Sequence, residues 1–190
     1  MDNKIIYLVV IIAVFVAGYY FFGNFQMVET NQNQEDIKVK LTTSKGDIVI
    51  ELYKSDMPIT AGNFEKLVQD GTYDGVIFHR IIDGFMIQGG DPTGTGMGDP
   101  SIPKIQDEFT QTSLDYNVRG TLSMANAGPN TGSSQFFINL VDNNFLNGKH
   151  PVFGKVTEES LTVIGEIAKV ETNAQDRPLE DIKIIKAEIL

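Results

Sequence analysis

The sequence contains no cysteine and only two histidines, so two common sources of protein chemistry are nearly absent. Without cysteine the chain cannot form a disulfide, a thiol redox centre or a cysteine-based zinc site. Two histidines are also too few for a histidine-rich catalytic metal centre. We therefore expect no metal site in this protein.

Basic residues are also scarce. The 190-residue chain has 15 lysines and arginines against 25 aspartates and glutamates, which gives a net charge of −10. A surface of this sign repels the phosphate backbone, so we expect no nucleic-acid partner. The length fits one domain with an appendage better than two full domains.

The chain begins with a long apolar segment. Residues 5–22 form a run of 18 residues with no charge and no proline, long enough to cross most of a hydrocarbon core as a helix. Lys4 precedes the run, whereas Glu29 and Glu35 follow it, so the positive-inside rule places the rest of the chain outside the cytoplasm. The sequence thus predicts a single-pass anchor in the cell membrane at residues 1–22, with the rest of the chain extracytoplasmic.

A cleaved signal peptide, which would give a secreted protein, is the alternative for this segment. Signal peptides usually have a shorter apolar core, followed by a small-residue cleavage site. Here the run ends in aromatic residues that suit a membrane interface, and no Ala-x-Ala pattern follows directly, so the anchor is favoured. Residues 23–36 are rich in asparagine and glutamine and are predicted to be a polar linker, which leaves residues 37–190 as the folded domain.

Residues from 37 onward predict a mainly β domain. Apolar and polar residues alternate over 37–42 and again over 48–52, as in a hairpin with one apolar face. Two stretches carry helical spacing instead, one beginning at Pro58 and the other after Glu158. Seven or eight short strands with two helices favour a barrel or a sandwich. The further strands are predicted over residues 76–81, 85–89, 120–126, 135–140, 152–156 and 182–189.

The familiar catalytic motifs are missing. No Gly-x-Ser-x-Gly nucleophile elbow occurs, and neither His79 nor His150 comes with a recognisable partner motif. Gly94, Gly96 and Gly98 follow no βαβ unit, so we interpret them as a flexible surface loop rather than a nucleotide cradle.

Three segments carry a more specific pattern: FHRIIDGFMIQGGD at residues 78–91, LSMANAGPNTGSSQFFI at 122–138 and FLNGKHPVFG at 145–154. Together, and in this order, they closely resemble the cyclophilin family of peptidyl-prolyl isomerases. The resemblance extends from about residue 37 to the C-terminus. It implies an eight-stranded antiparallel β-barrel capped by two α-helices, a monomeric catalytic domain, and proline-containing polypeptides as the substrates.

The resemblance also assigns the site residues. It implies that Arg80 is the catalytic residue and that the substrate groove lies on the outer wall of the barrel. Apolar members of the site are expected to enclose the proline ring, Gln88 and Asn126 to hold the substrate backbone, and His150 to pack against the substrate without acid–base chemistry. The substrate-binding residues carried over by motif are Phe85, Met86, Gln88, Ala125, Asn126, Gln135, Phe137, Phe145, Leu146 and His150.

Prolyl isomerisation suits a chain with so little reactive chemistry. Rotation about an X-Pro bond is slow because it disrupts amide resonance, at a barrier of about 18–20 kcal/mol, although no bond is made or broken. The catalyst therefore needs no nucleophile, metal or cofactor. A permanently charged guanidinium beside the twisting nitrogen stabilises the twisted state more than either planar state.

Four positions depart from the family pattern; Asp99 and Ser133 interrupt glycine-rich runs and are expected to change only the shape of the loops. Asp83 stands where many members have proline, and Phe145 stands where many eukaryotic members have tryptophan. Because a phenyl ring lacks the indole N–H donor, we expect weaker binding of cyclosporin-type inhibitors with isomerase activity largely retained.

The anchor and the site motifs together favour an isomerase that assists the folding of proteins at or outside the membrane. The alternative is a membrane-tethered module or holdase that binds proline segments in the same groove, with incidental turnover.

Overall fold

The computed structural model describes residues 37–190. The predicted anchor (1–22) and linker (23–36) lie outside these residues. Between residues 37 and 190, no helix has both the length and the hydropathy that crossing a bilayer requires. The described elements are strands β1 (Lys38–Thr43), β2 (Gly46–Leu52), β3 (Arg80–Ile82), β4 (Met86–Gly89), β5 (Thr121–Met124), β6 (Phe136–Asn139), β7 (Val152–Val156) and β8 (Ile184–Ile189), helices α1 (Pro58–Gln69) and α2 (Ser160–Ile167), and short 3-10 helices at Ser113–Asp115 and Asn144–Leu146.

The hairpin of β1 and β2 forms as the alternation predicts. Val39 pairs with Ile50 and Leu41 with Ile48, and all four side chains are fully buried. Gly46 adopts a φ of +131° at the turn, a conformation that favours glycine because it has no Cβ. One face of the hairpin therefore lies in the core.

All eight strands form one antiparallel sheet in the order β3-β4-β6-β5-β7-β2-β1-β8. The sheet curls into a half-barrel, and backbone hydrogen bonds connect its two ends: the Phe78 amide donates to Ile182 at 2.9 Å, and the Ile184 amide donates to Val76 at 2.8 Å. The predicted strand over residues 76–81 is divided, because its first half pairs toward β8 whereas β3 pairs with β4. Eight antiparallel strands with two helices agree with the predicted fold class, although β3 and β8 share no continuous ladder that would close a full barrel.

An aromatic cluster fills the interior of the half-barrel. Phe136 of β6 is fully buried and makes edge-to-face contacts with Phe64, Tyr73 and Phe78 at centroid distances of 5.3, 5.6 and 6.2 Å. The Tyr73 hydroxyl donates to the Ser134 carbonyl at 3.0 Å, and burial raises the pKa of this phenol. Because the interior is packed, the outer face of the sheet is the surface on which a substrate groove can form.

Both predicted helices are present. Helix α1 begins at Pro58, whose fixed φ suits the first helical turn and whose missing N–H removes no bond there. The Glu108 carboxylate accepts hydrogen bonds from the Ile59 and Thr60 amides at 3.1 and 2.9 Å, which satisfies the start of the helix from a distant loop. Helix α1 packs against β7 and β8, and α2 packs against β2.

Candidate active site

Three neighbouring strands bring a row of predicted site residues onto one face of the sheet. Arg80 of β3 lies opposite Gln88 of β4, and Gln88 lies opposite Phe137 of β6. Directly paired residues point to the same side of a sheet, so these three side chains share one face. Met86 shares it because it lies two residues from Gln88, whereas Phe136 points into the core.

Residues from loops complete a pocket of about 190 Å³ on this face. They come from the residue before β4, the segment after β5 and the connection between β6 and β7. The pocket is small and mostly apolar, with one cationic side chain at its edge. Nine of the eleven residues predicted from sequence line it: Arg80, Phe85, Met86, Gln88, Ala125, Asn126, Phe137, Leu146 and His150.

The other two predicted residues, Gln135 and Phe145, lie beside this pocket. Gln135 lines a neighbouring cavity of about 660 Å³, which shares Gln88 and two residues after β5 with the smaller pocket. Phe145 is 62% exposed and stacks on Phe85, with ring centroids 5.9 Å apart and planes at 21°. Both residues therefore extend the site beyond the small pocket.

Arg80 presents part of its guanidinium to the pocket. Its side chain is 42% exposed, and its Nε donates a hydrogen bond to Asp176 Oδ2 at 3.3 Å. Within residues 37–190, its two Nη groups have no hydrogen-bond partner. Since a guanidinium stays protonated at any physiological pH, these groups are available as donors to a bound molecule.

Phe137 and His150 form the aromatic side of the pocket. Their rings meet edge to face, with centroids 5.4 Å apart and planes at 78°. His150 Nδ1 lies 3.1 Å from the carbonyl oxygen of Met124. Because a carbonyl oxygen can only accept a hydrogen bond, Nδ1 carries the proton. The imidazole is thus held in one orientation as a wall of the pocket.

A chain of amide hydrogen bonds fixes Gln88. Its Nε2 donates to Gln135 Oε1 at 3.0 Å, and Gln135 Nε2 donates to the carbonyl of Gly96 at 3.1 Å. Gln88 Oε1 has no partner in the part of the chain that the structure describes, so it remains an acceptor at the pocket. Gly96 belongs to the glycine-rich loop after β4, which sequence reasoning left outside the site.

Asp91 organises this glycine-rich loop. Its side chain is fully buried and accepts backbone hydrogen bonds from Thr93, Gly96 and Gly98 at 2.9, 2.7 and 3.1 Å. Burial raises the pKa of the carboxyl, but the hydrogen bonds from Thr93, Gly98 and Gly96 outweigh this effect and hold the pKa below its ordinary value. The loop interpreted from sequence as a flexible surface segment is therefore held at several points.

Asn126 is predicted to hold the substrate backbone, and its side chain is already bonded within the protein. Its Nδ2 donates to the Lys149 carbonyl at 2.8 Å, and its Oδ1 accepts from the Gly128 amide at 3.3 Å. The side chain thus joins two loops of the protein itself. The backbone N–H and C=O of Asn126 have no partner among residues 37–190, so its backbone, not its side chain, can pair with a bound peptide.

The other histidine, His79, is buried outside the pocket. It is 8% exposed, and its Nδ1 lacks a hydrogen-bond partner in the described part of the chain. Burial lowers the pKa of the imidazole, Asp91 opposes this shift, and Arg177 and Arg80 reinforce it. Within residues 37–190, no three histidine, aspartate or glutamate side chains are grouped as metal ligands.

Several known proteins are similar to this chain in sequence. The family described as "Cyclophilin type peptidyl-prolyl cis-trans isomerase/CLD" matches residues 38–189. The peptidyl-prolyl cis-trans isomerase ppi1 of Schizosaccharomyces pombe is 53% identical over 151 residues, which are 78% of this chain and 96% of that protein. The human peptidyl-prolyl cis-trans isomerase-like 1 is 50% identical over 151 residues, which are 78% of this chain and 90% of that protein.

A solved structure shares the fold. The crystal structure of a Cryptosporidium parvum cyclophilin type peptidyl-prolyl cis-trans isomerase has a TM-score of 0.75 and 36% identity, and the match covers 82% of this chain and 98% of that one. The same protein crystallised in the presence of the dipeptide Ala-Pro gives a TM-score of 0.74 and 37% identity, covering 80% and 98% of the two chains.

The burial of His79 predicts a pH dependence of stability. The imidazole of the unfolded chain binds a proton near its ordinary pKa of 6.5, whereas the folded one has a lower pKa. The contribution of His79 to the free energy of unfolding is therefore fully present above pH 6.5 and is lost as the pH falls toward the folded pKa. We expect His79→Gln to flatten the fall in the free energy of unfolding between pH 7.5 and 5.5, as measured by urea denaturation. An unchanged slope in His79→Gln would contradict the prediction.

Proposed function

This chain belongs to the cyclophilin-type peptidyl-prolyl cis-trans isomerase family, and we propose that it accelerates rotation about X-Pro bonds in the pocket beside Arg80. The enzyme class follows from the family match and from relatives of this name at about 50% identity. The observation that carries the assignment of the site is the pair of unpartnered Nη groups at the edge of a small, mostly apolar pocket.

The proposed chemistry is stabilisation of a twisted amide. When the X-Pro bond rotates out of conjugation, its nitrogen becomes pyramidal and gains a localised lone pair. An Nη–H of Arg80 donates to this lone pair, which exists only in the twisted state. The hydrogen bond therefore lowers the barrier without tightening the binding of either planar isomer.

The apolar walls have two roles in this proposal. Met86, Phe137 and Leu146 surround the proline ring, and Met86 and Phe137 are themselves only 2% and 5% exposed, so both are packed against the rest of the protein. They also exclude water from the guanidinium, which strengthens its hydrogen bond to the substrate. A relative crystallised with Ala-Pro supports a proline-containing ligand for a site of this family.

Polar groups beside the pocket hold one end of the substrate while the other rotates. The unpartnered backbone N–H and C=O of Asn126 suit an extended peptide, which can pair with them as a neighbouring strand would. Gln88 Oε1 supplies a fixed acceptor because its amide is held through Gln135. Because one side of the X-Pro bond is fixed, the binding energy holds the rotating group in the orientation that the reaction needs.

Arg80→Ala tests the central role. We expect kcat/KM for a Suc-Ala-X-Pro-Phe type peptide to fall by about 10²–10³-fold, as when one donor to a developing charge is removed. The kcat/KM of Arg80→Lys should lie between those of the wild type and Arg80→Ala, because lysine keeps the charge but lacks the planar fork. Arg119→Ala removes an equal charge from an exposed position outside the pocket and should leave the rate unchanged. Isomerisation by Arg80→Ala at the wild-type rate would reject the proposal.

The same variant separates an isomerase from a proline-binding holdase. If turnover matters, client folding in cells should fail with Arg80→Ala in proportion to the lost isomerisation. If client folding survives while peptide isomerisation is lost, capture of X-Pro segments in the groove is the function that the cell uses.

Phe145 predicts weak binding of cyclosporin-type inhibitors. Its exposed ring stacks on Phe85 but offers no donor, so Phe145→Trp should strengthen cyclosporin binding by about fivefold to tenfold, the effect of one added hydrogen bond. Isomerase activity should stay within about twofold because the ring only borders the pocket. Binding is measured by inhibition for both proteins, and by fluorescence for the variant, since the natural chain has no tryptophan. Phe145→Leu should gain nothing, and equal inhibition of Phe145→Trp and wild type would contradict the prediction.

The proposed location is the cell membrane, with the catalytic domain outside the cytoplasm, where it assists folding of proline-containing clients. Support comes from the uncharged run at residues 5–22 and the lysine before it. Fractionation of cells combined with protease accessibility tests this placement. We expect the full chain in the membrane fraction and its domain digested on intact cells. A shortened protein in the medium would show a cleaved signal peptide, and a protected domain would reverse the orientation.

A further inference from the structure

Asp176 makes two contacts with β3 at the position of Arg80. Its carboxylate Oδ2 accepts a hydrogen bond from Arg80 Nε at 3.3 Å, and its backbone carbonyl accepts one from the Ile81 amide at 2.8 Å. Asp176 lies between α2 and β8, 96 residues from Arg80 along the chain. Side chain and backbone of one residue thus contact two successive residues of the strand that carries the guanidinium.

The turn that holds Asp176 is itself well defined. The Asp176 amide donates to the Asn173 carbonyl at 3.0 Å, and Asn173 Oδ1 accepts from the amides of Gln175 and Arg177 at 2.9 and 3.1 Å. The Arg177 guanidinium donates to the Gly94 carbonyl at 2.9 Å, which ties the turn to the glycine-rich loop beside the site. The carboxylate is therefore presented from a fixed support.

The backbone of Asp176 indicates that the side chain is used. Its φ is +61°, in the left-handed region that glycine adopts most easily. A glycine would make the same backbone hydrogen bonds with less conformational cost. The carboxylate is the group that glycine would not supply, and its one side-chain partner within residues 37–190 is Arg80.

The contact constrains the guanidinium from one end only. Arginine has a long side chain with many rotamers, and a guanidinium is planar, so a bond at Nε fixes the plane of the whole group. The Nη groups receive no bond from Asp176 and stay available at the pocket. This is the arrangement needed to orient a donor without occupying it.

We propose that Asp176 is the positioning residue for Arg80, holding its guanidinium through Nε so that an Nη–H faces the rotating X-Pro nitrogen. The proposal rests on the proposed role of Arg80. It also predicts whether the rate rises or falls when the carboxylate is removed. A nearby carboxylate reduces the net positive potential at the pocket, so removing it would raise the rate if charge alone mattered, whereas loss of orientation lowers the rate.

Asp176→Gly is the removal variant because glycine fits the backbone at this φ. We expect kcat for an X-Pro peptide to fall by about tenfold with KM within about twofold, as a misdirected donor affects the twisted state more than substrate binding. Asp176→Asn keeps an oxygen acceptor at the same place and should restore most of the rate. The matched control is Asp181→Ala, which breaks the neighbouring Arg177–Asp181 pair of similar exposure, 42% and 44% against 42% and 43%, and should keep wild-type kcat.

A spectroscopic readout separates orientation from general damage. In two-dimensional ¹H–¹⁵N spectra, the Nε–H of Arg80, assigned by its loss in Arg80→Lys, should exchange slowly with water in the wild type and in Asp176→Asn. It should exchange faster in Asp176→Gly, while the backbone amides of the core remain protected. Wild-type kcat in Asp176→Gly would overturn the proposal, and so would a lower kcat with unchanged Nε–H exchange.

A double variant distinguishes this proposal from the role of Arg80 itself. If Asp176 acts through Arg80, Asp176→Gly should cause no further loss in the Arg80→Ala background. An additional tenfold loss there would mean that Asp176 acts by another route, and the positioning role would be wrong. If Arg80→Ala alone keeps the wild-type rate, the proposed role of Arg80 fails, and the positioning role of Asp176 fails with it. A loss in Arg80→Ala combined with full activity in Asp176→Gly would reject the positioning role alone.

Discussion

The pairing of β3, β4 and β6 is the constraint on which the rest of the structure depends. Side chains alternate across each strand, so a single register sends Ile81, Ile87 and Phe136 into the core and leaves Arg80 and Gln88 at the pocket. A slip of one residue would exchange the two sets, placing a cation among aromatic rings and apolar side chains in water. The packing energy of the core therefore also fixes the geometry of the site.

The polar groups of the site are held from behind by residues that do not line the small pocket. Gln88 is held through Gln135, the ring of His150 by the carbonyl of Met124, and the guanidinium of Arg80 by Asp176. Each contact uses one end of a side chain and leaves another end at the pocket. Isomerisation needs no reactive group, so the contribution of the protein is almost entirely this prior arrangement of donors, acceptors and apolar walls.

Part of the fold could be predicted because β1 and β2 each have one buried face, which leaves a period of two in the sequence, and because Pro58 marks the start of a helix. Strands β5 and β6 are buried along their whole length and show no such alternation. Most of the pocket could be predicted because its residues lie in contiguous motifs. The remainder depends on contacts between distant segments that leave no local pattern. Asp176 lies 96 residues from its partner, and the side chain of Asn126 is taken by a neighbouring loop, neither of which any spacing rule reveals.

The contact between the two ends of the half-barrel joins segments that are synthesised at different times. Strand β1 pairs with β8, and the segment before β3 bonds to Ile182 and Ile184, so the earliest and latest portions of the domain are neighbours. On the ribosome, β8 emerges after every other strand, and until then β1 lacks one of its partners along its whole length. A nascent chain therefore lacks both the pairing of β1 with β8 and the contact of Asp176 with Arg80 until these C-terminal residues have been made.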